Sequence, residues 1–210
     1  MTEHNTSTGK RAVVFDFGGV LMRTVDYGPR HAWDRRLGLP AGSVEQAVHG
    51  SAAWRAAQLG HIAPAVYWAA VAGELGLDEA AAADLRRDFF SGDQLDADLI
   101  TLINELRGGG HTVGLLSNET LDLRAWLRAL AIDALFDPLL ISAALGAMKP
   151  DAAAYQALLA ALDRPAREVI FIDDLPANVA GAQALGIHAV RYTAGMDLRA
   201  ALAPLLAVEG

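Results

Sequence analysis

The chain has no cysteine and only two lysines among its 210 residues. The first absence removes disulfides, zinc–thiolate clusters and cysteine nucleophiles together, and it suits a reducing compartment, with the cytoplasm as the default expectation. Basic residues are scarce as well: 17 against 25 acidic ones give a formal net charge of −8. A field of that sign repels phosphate backbones and anionic bilayers, so nucleic acid and membrane surfaces are disfavoured as partners. A long apolar run is missing too. The longest nearly uncharged apolar stretch, Ile62 to Gly73, contains Pro64 and falls short of the roughly 18 residues that span a bilayer. At the start, Met1 to Lys10 is polar and lacks an apolar h-region, so it reads as a frayed tail and not as an export signal.

What is present is a globular composition. Just over half the chain is apolar (53%), and 42 residues are alanine, which suits helix-rich packing and excludes disorder and collagen-like repeats. At about 150 residues per domain, the length allows one domain, or one core with a small companion. Ala12 to Phe15 is a continuous apolar run feeding Asp16-Phe17-Gly18-Gly19, the pattern of a buried parallel strand that leads into a turn. The pattern recurs where Thr112 to Leu116 runs into Ser117-Asn118, Leu139 to Ile141 into Ser142, Val169 to Ile172 into Asp173-Asp174, and His188 to Val190 into Arg191-Tyr192. Helical patterns cover Asp96 to Arg107, Leu121 to Leu130, Asp151 to Leu162, and Ala177 to Leu185 closed by Gly186. This alternation predicts an α/β fold, a Rossmann-like, doubly wound and mostly parallel sheet with ligands at the carboxyl ends of its strands.

From about Met22 to Gly92 no strand-like run is visible. Helical periodicity punctuated by Gly28-Pro29, Gly38, Pro40, Gly50, Gly60 and Gly76 predicts an insertion of about four short helices after the first strand's turn. The expected organisation is a tail over 1–10, an α/β core over 11–21 and 93–210, and a helical cap over 22–92 that folds over the sheet's carboxyl edge. Trp33, Trp54 and Trp68 fall inside the insertion, where aromatics at helical spacing ordinarily pack as core, with the lining of a substrate pocket as the alternative. His31, His61, Arg30 and Arg55 read as surface or packing residues ahead of substrate contacts.

Taken singly, the polar residues have plain readings. Asp16 behind a strand is ordinarily a turn or helix cap, and Asp173-Asp174 before Pro176 a helix start. Ser117-Asn118 can cap a helix from Thr120, and Lys149 can be a surface lysine before a proline. Their order along one α/β chain changes this. Asp16-Phe17-Gly18-Gly19-Val20, Ser117-Asn118, Gly146-Ala147-Met148-Lys149-Pro150-Asp151, and Asp173-Asp174 with Asn178 resemble the four motifs of the haloacid dehalogenase-like (HAD) hydrolase superfamily. The resemblance spans roughly residues 11 to 193, and the insertion stands where capped members of the superfamily carry theirs.

The residue types agree with the chemistry that the resemblance implies. A carboxylate such as Asp16 can attack phosphorus and form an acyl phosphate, splitting hydrolysis into two displacements. One negative charge about 4 Å from a phosphate dianion costs on the order of 8 kcal/mol at an effective dielectric of about 20, so this nucleophile needs positive charge beside it. Asp173 and Asp174 together with Asp16 form a hard-oxygen set suited to Mg²⁺. The resemblance implies that Asp16 and Asp174 bind the metal directly, that the backbone carbonyl of Gly18 is a third ligand, and that Asp173 stands behind them or binds occasionally. It also implies that Ser117, Asn118 and Lys149 hold the phosphate, with Asp16, Lys149 and Ser117 carrying catalysis. Lysine is otherwise avoided, Lys10 being the other one against 15 arginines. A compact ammonium can neutralise both nucleophile and phosphoryl oxygens, a role to which arginine's fork is less suited.

One position departs from the pattern. Most phosphatases of the superfamily carry a second aspartate two residues after the nucleophile, as general acid and base; here that position is Gly18. Such catalysis is typically worth about 10²- to 10⁴-fold, and three readings stand. The chain is a Mg²⁺-dependent phosphomonoester hydrolase of a small phosphorylated metabolite, a 2-haloacid dehalogenase, or a catalytically impaired binding protein. Dehalogenases of the superfamily also lack the second aspartate, but they need no metal and usually carry Ser-Ser-Asn where Asp173-Asp174 stands. The retained carboxylates therefore favour phosphoryl chemistry, and Asp-x-Gly-x-Val resembles a minority of capped sugar-phosphate phosphatases. Glu119, next to Ser117-Asn118, is a candidate surrogate acid. A monomer or homodimer is expected.

Overall fold

The structure, a computed structural model, describes residues 10–207; the expected tail lies outside them except for Lys10. Seven strands, β1 (Ala12–Phe15), β2 (Met22–Thr24), β3 (Asp93–Leu95), β4 (Thr112–Ser117), β5 (Leu139–Ile141), β6 (Val169–Asp173) and β7 (His188–Arg191), form two sheets. The large one has the order β5-β4-β1-β6-β7 with every neighbouring pair parallel. From the central β1 the chain winds outward to β4 and β5 on one side, then crosses back to β6 and β7 on the other. That reversal leaves a crevice at the carboxyl ends of β1, β4 and β6, where ligands of such sheets bind.

Five helices, α1 (Gly28–Arg36), α2 (Ser43–His49), α3 (Ala52–Gln58), α4 (Pro64–Leu75) and α5 (Glu79–Phe89), lie between β2 and β3. The remaining ones are α6 (Ala97–Gly108), α7 (Asp122–Ala129), α8 (Ser142–Leu145), α9 (Ala152–Leu162), α10 (Pro176–Ala184) and α11 (Leu198–Leu206). Successive side chains of a strand point to opposite faces. Val13 and Phe15 accordingly pack with Leu102 and Ile103 of α6, Leu123 of α7 and Leu202 of α11, while Ala12 and Val14 pack with Tyr155 of α9 and Ala182 of α10. Burial on both faces is what makes β1 a continuous apolar run and not an alternating one.

Two features of the insertion differ from the sequence expectation. It holds five helices and not about four, because Gly50 closes α2 and Ser51 starts a new helix, its hydroxyl accepting from the Trp54 N–H at 3.1 Å. It is also flanked by a strand pair: β2 runs antiparallel to β3, with Met22 opposite Leu95. Three residues are too few to leave a period in the sequence, and the partner strand arrives only after the five helices. The ribbon therefore straddles the division expected between 92 and 93. Trp33, Val48, Tyr67, Leu85 and Phe89 form a core of the insertion's own. Arg30 is buried against it, donating to the Phe89 carbonyl at 2.9 Å, to Glu45 at 2.7 Å and to Asp93 at 2.8 Å, with its guanidinium 4.0 Å from the Phe89 ring centroid. Among the described residues, no helix is long and apolar enough to cross a membrane.

Candidate active site

The site begins with the sheet's own ladder. The Asp16 N–H donates to the Ile172 carbonyl at 2.9 Å, so the backbone of Asp16 still belongs to the β1–β6 register while its side chain emerges at the carboxyl edge. The chain then turns sharply: Met22 N–H donates to Phe17 O, and Gly19 N–H to Met22 O, both at 2.9 Å. Gly19 has φ +77°, and a Cβ there would overlap the Asp174 carboxylate, so glycine is required by both backbone and space. Gly18 is different. Its φ is outside the left-handed region, and a Cβ there would meet nothing within 4 Å.

Lys149 reaches this edge from the loop before α9, and its whole side chain is buried. Its Nζ lies 2.9 Å from Asp16 Oδ1 and 2.7 Å from Asp173 Oδ2. Asp173 is fully engaged: Oδ1 accepts from Leu175 N at 2.9 Å and Asn178 Nδ2 at 3.0 Å, and Oδ2 from Lys149 and again from Asn178 at 3.0 Å. By contrast, Asp16 Oδ2 and the Asp174 carboxylate accept from no other residue among those described. Asn178 is itself steadied, its carbonyl accepting from Tyr155 Oη at 2.7 Å.

At the end of β4 the two motif residues behave differently. Ser117 is a buried residue, and its hydroxyl makes no hydrogen bond to another of the described residues. Asn118, expected to present its amide to phosphate, instead brackets the backbone of Lys149. Its Nδ2 donates to Lys149 O at 2.7 Å and its Oδ1 accepts from Lys149 N at 2.8 Å, which leaves one side-chain N–H for a ligand. Two residues that carry no motif join this loop to the insertion. Gln58 of α3 donates from Nε2 to Asn118 O at 2.8 Å, and Ser142 donates from its hydroxyl to Gln58 O at 2.6 Å. No spacing in the sequence singles Gln58 out.

Carboxylate oxygens of Asp16, Asp173 and Asp174 lie within 4.8 Å of one another, against a single ammonium. Burial raises the Asp16 carboxyl to about 7; Lys149 pulls it down and Asp173 pushes it further up. Burial and the charge of Asp173 also raise Asp174. Three hard-oxygen donors crowded around one positive charge leave negative charge uncompensated, and that donor set fits a small divalent cation such as Mg²⁺.

Residues 10–186 match the family of haloacid dehalogenase-like hydrolases. The chain belongs to that family. It is 29% identical over 184 residues to the sesquiterpene phosphatase astK of Aspergillus oryzae, covering 87% of this chain and 90% of that one. To the phosphatase MT3486 of Mycobacterium tuberculosis it is 32% identical over 185 residues, 85% of each chain. A HAD family enzyme of Bacteroides thetaiotaomicron, crystallised with magnesium and inorganic phosphate, superposes with a TM-score of 0.75 over 90% of this chain and 96% of its own, at 22% identity. The α/β sheet and the hydrolase class implied by the motifs are those of this HAD-like hydrolase.

Beside the strand ends, a cavity of about 1200 Å³ opens between helices α3 to α5 of the insertion and α7 of the sheet layer. Glu119 and Thr120, which follow Ser117-Asn118 directly, line it. Glu119 Oε1 accepts from the Thr120 N–H at 2.6 Å, and burial raises its carboxyl to about 7, with the charges of Asp122 and Asp16 adding to the rise. Trp54 and Trp68, expected as insertion core, line the cavity, while Trp33 is buried and donates to Asp88 at 3.1 Å. The reason is rotational: α3 and α4 turn one edge of these rings to the insertion's core and the other to the cavity. His31, His61 and Arg55 are exposed, His31 stacking on Tyr27 at 6.1 Å.

Proposed function

We propose that this hydrolase cleaves phosphomonoesters with Mg²⁺ through an aspartyl-phosphate on Asp16. The observation that carries the reading is the pairing of Lys149 with Asp16 and Asp173 beside a free Asp16 Oδ2. That oxygen attacks phosphorus, the ester oxygen leaves, and Asp16 holds the phosphoryl group; water then attacks phosphorus, which breaks the acyl phosphate and releases inorganic phosphate. Lys149 faces the other oxygen of Asp16, favours its ionised form, and stands where phosphoryl oxygens need neutralising. Asp173 and Asn118 keep Lys149 in place from its two ends, side chain and backbone. Ser117 Oγ and the remaining Asn118 N–H are the donors available to phosphoryl oxygens. Asp16, Asp174 and the Gly18 carbonyl would hold Mg²⁺, which when bound supplies the positive charge that three carboxylates and a phosphate require. Residues 22–92 act as the cap over this edge. The relatives that are phosphatases point to a phosphorylated small molecule as substrate.

No carboxyl stands at position 18, and Glu119 is turned to the Thr120 N–H. The leaving oxygen therefore departs with its charge largely unneutralised, and the rate depends steeply on leaving-group pKa. The test is phosphate release from 4-nitrophenyl phosphate and from n-propyl phosphate, with Mg²⁺ and with chelator. The aryl ester should turn over orders of magnitude faster, and only with metal. Halide release from 2-chloropropionate without metal, in place of phosphate release, would overturn the reading in favour of a dehalogenase, and neither product would leave a binding protein.

A further inference from the structure

The cavity beside the strand ends is too large and too apolar for a phosphate alone. We propose that it selects phosphomonoesters whose leaving group carries an extended hydrocarbon body, with the phosphate at Lys149 and Ser117 and the hydrocarbon between the insertion and α7. The proposal rests on the phosphomonoesterase reading above and names its substrate class.

Size is the first ground: about 1200 Å³ exceeds the range of roughly 300–1,000 Å³ common for small-molecule sites. The lining is the second. Trp54, Trp68, Leu77, Phe90, Leu123 and Trp126 form the walls. Between them α4 and α5 leave space with small side chains at Ala72, Gly73, Ala82 and Ala83. The rings are continuous across the two parts of the molecule: Trp68 meets Phe90 at 6.1 Å, Phe90 meets Trp126 at 5.5 Å, and Trp126 meets Phe17, the neighbour of Asp16, at 5.6 Å. The ring contacts thus reach from the insertion to the residue beside the nucleophile, Phe17 itself being buried behind the Trp126 wall.

The third ground is the state of the polar groups. Arg86 pairs with Asp122 at 2.8 Å and lies 5.3 Å from the Trp68 ring centroid, Arg87 pairs with Asp84 and Asp88, and the Tyr67 hydroxyl donates to Val48 O at 3.0 Å. Glu79, Ser91, Glu119 and Thr120 complete the polar lining, with Ser91 donating to Asp88 O and Glu119 accepting from Thr120 N. A sugar would exchange water for these few groups, which is unfavourable, whereas each methylene that leaves water improves binding about three- to fourfold. The proposal thus sets a hydrocarbon phosphate against the sugar phosphate that Asp-x-Gly-x-Val resembles.

The probe is a series of 4-n-alkylphenyl phosphates from methyl to heptyl, kept below their micellar concentrations, in which leaving-group pKa stays nearly constant while the hydrocarbon lengthens. We expect kcat/KM to rise on the order of 100-fold across the series, a discounted form of the per-methylene gain. Gly73→Leu and Ala83→Leu fill the cavity. At Gly73 a Cβ meets nothing within 4 Å, and leucine favours a helix over glycine, so the fold should tolerate it. Each variant should lose at least about tenfold on the heptyl ester while keeping 4-methylphenyl turnover within about twofold. Phosphate release that is flat or falling with chain length overturns the substrate class and leaves the hydrolase reading intact; no release from any ester overturns that reading instead. Binding is read separately in Asp16→Asn protein by tryptophan emission, since three of the four tryptophans line the cavity. The heptyl ester should bind at least tenfold tighter than the methyl ester, with Gly73→Leu abolishing the difference, and equal affinities would sink the proposal even if no ester is hydrolysed.

Discussion

Lys149 and Trp68 stand on two sides of one site and are held in different ways. Lys149 is pinned by two carboxylates at 2.9 and 2.7 Å and by both backbone bonds to Asn118. Trp68 is held by ring contacts, to Tyr67 at 5.1 Å and Phe90 at 6.1 Å, and no hydrogen bond fixes its indole among the described residues. The difference teaches which changes each side tolerates. Where charges are buried and paired, removing one partner leaves an uncompensated charge that costs several kcal/mol, so the polar side accepts little variation. Where rings meet methyl groups, resizing changes volume and affinity but strands no charge. Chemistry and selectivity are thereby carried by separable residues, and five substitutions can break that separation or sharpen it.

The largest effect belongs to Asp16→Asn, which should lower turnover of every ester by at least about 10³-fold. It should hold or raise the melting temperature, because one of three crowded carboxylates becomes neutral. Steady-state rates with thermal melts decide this, and surviving turnover would remove the covalent step. Next is the acidic pair. Asp174→Ala should weaken Mg²⁺ binding, read by calorimetry, about tenfold or more beyond Asp173→Ala, because Asp173 spends both oxygens on Lys149, Asn178 and Leu175. Asp173→Ala should instead lose turnover through a displaced Lys149. Equal losses of metal affinity would merge the two roles.

Gly18→Asp comes third. The position has ordinary φ and open space for a side chain, so an added carboxyl should reach the leaving oxygen without strain and raise n-propyl phosphate turnover about tenfold more than 4-nitrophenyl phosphate turnover. A uniform change in both rates would mean that another group already donates the proton. The smallest effect is Glu119→Gln. Folded Glu119 titrates at about 7, above its ordinary 4.5, so the folded state holds its proton more tightly and stability falls as pH rises through that window. The glutamine variant escapes this fall. It should melt about 2–4 °C higher than the unmodified protein at pH 8 and match it at pH 4; an unchanged difference across pH would show that Glu119 is ionised in the folded protein.

The strands and motif residues were legible because local pattern suffices for them. A strand covered on both faces reads as an apolar run, and its last residue is polar where it meets the crevice, as at Ser117 and Asp173. The starts of α6, α7, α9 and α10 were legible to within a residue, Asp96 serving as the N-cap of α6 and accepting from the N–H groups of Asp98 and Leu99 at 3.1 Å. The ribbon of β2 and β3 was not legible, since neither strand is long enough to show a period and each exists through its partner. Nor was the split role of Ser117 and Asn118, which turns on where the backbone of Lys149 passes.

By itself the sequence determined the order of the sheet's building blocks, the carboxylates and lysine at their ends, and the family that this order identifies, because each follows from residue type and position within a few neighbours. Tertiary structure alone decided that Asp173 is spent on Lys149 while Asp174 is left open, that Gly19 and not Gly18 is held to glycine by its backbone, and that Trp54 and Trp68 border a cavity. Those outcomes depend on how far apart segments approach and on how each helix is rotated about its axis. Both are set by the packing of side chains that are remote in sequence, for which no local pattern has a sign.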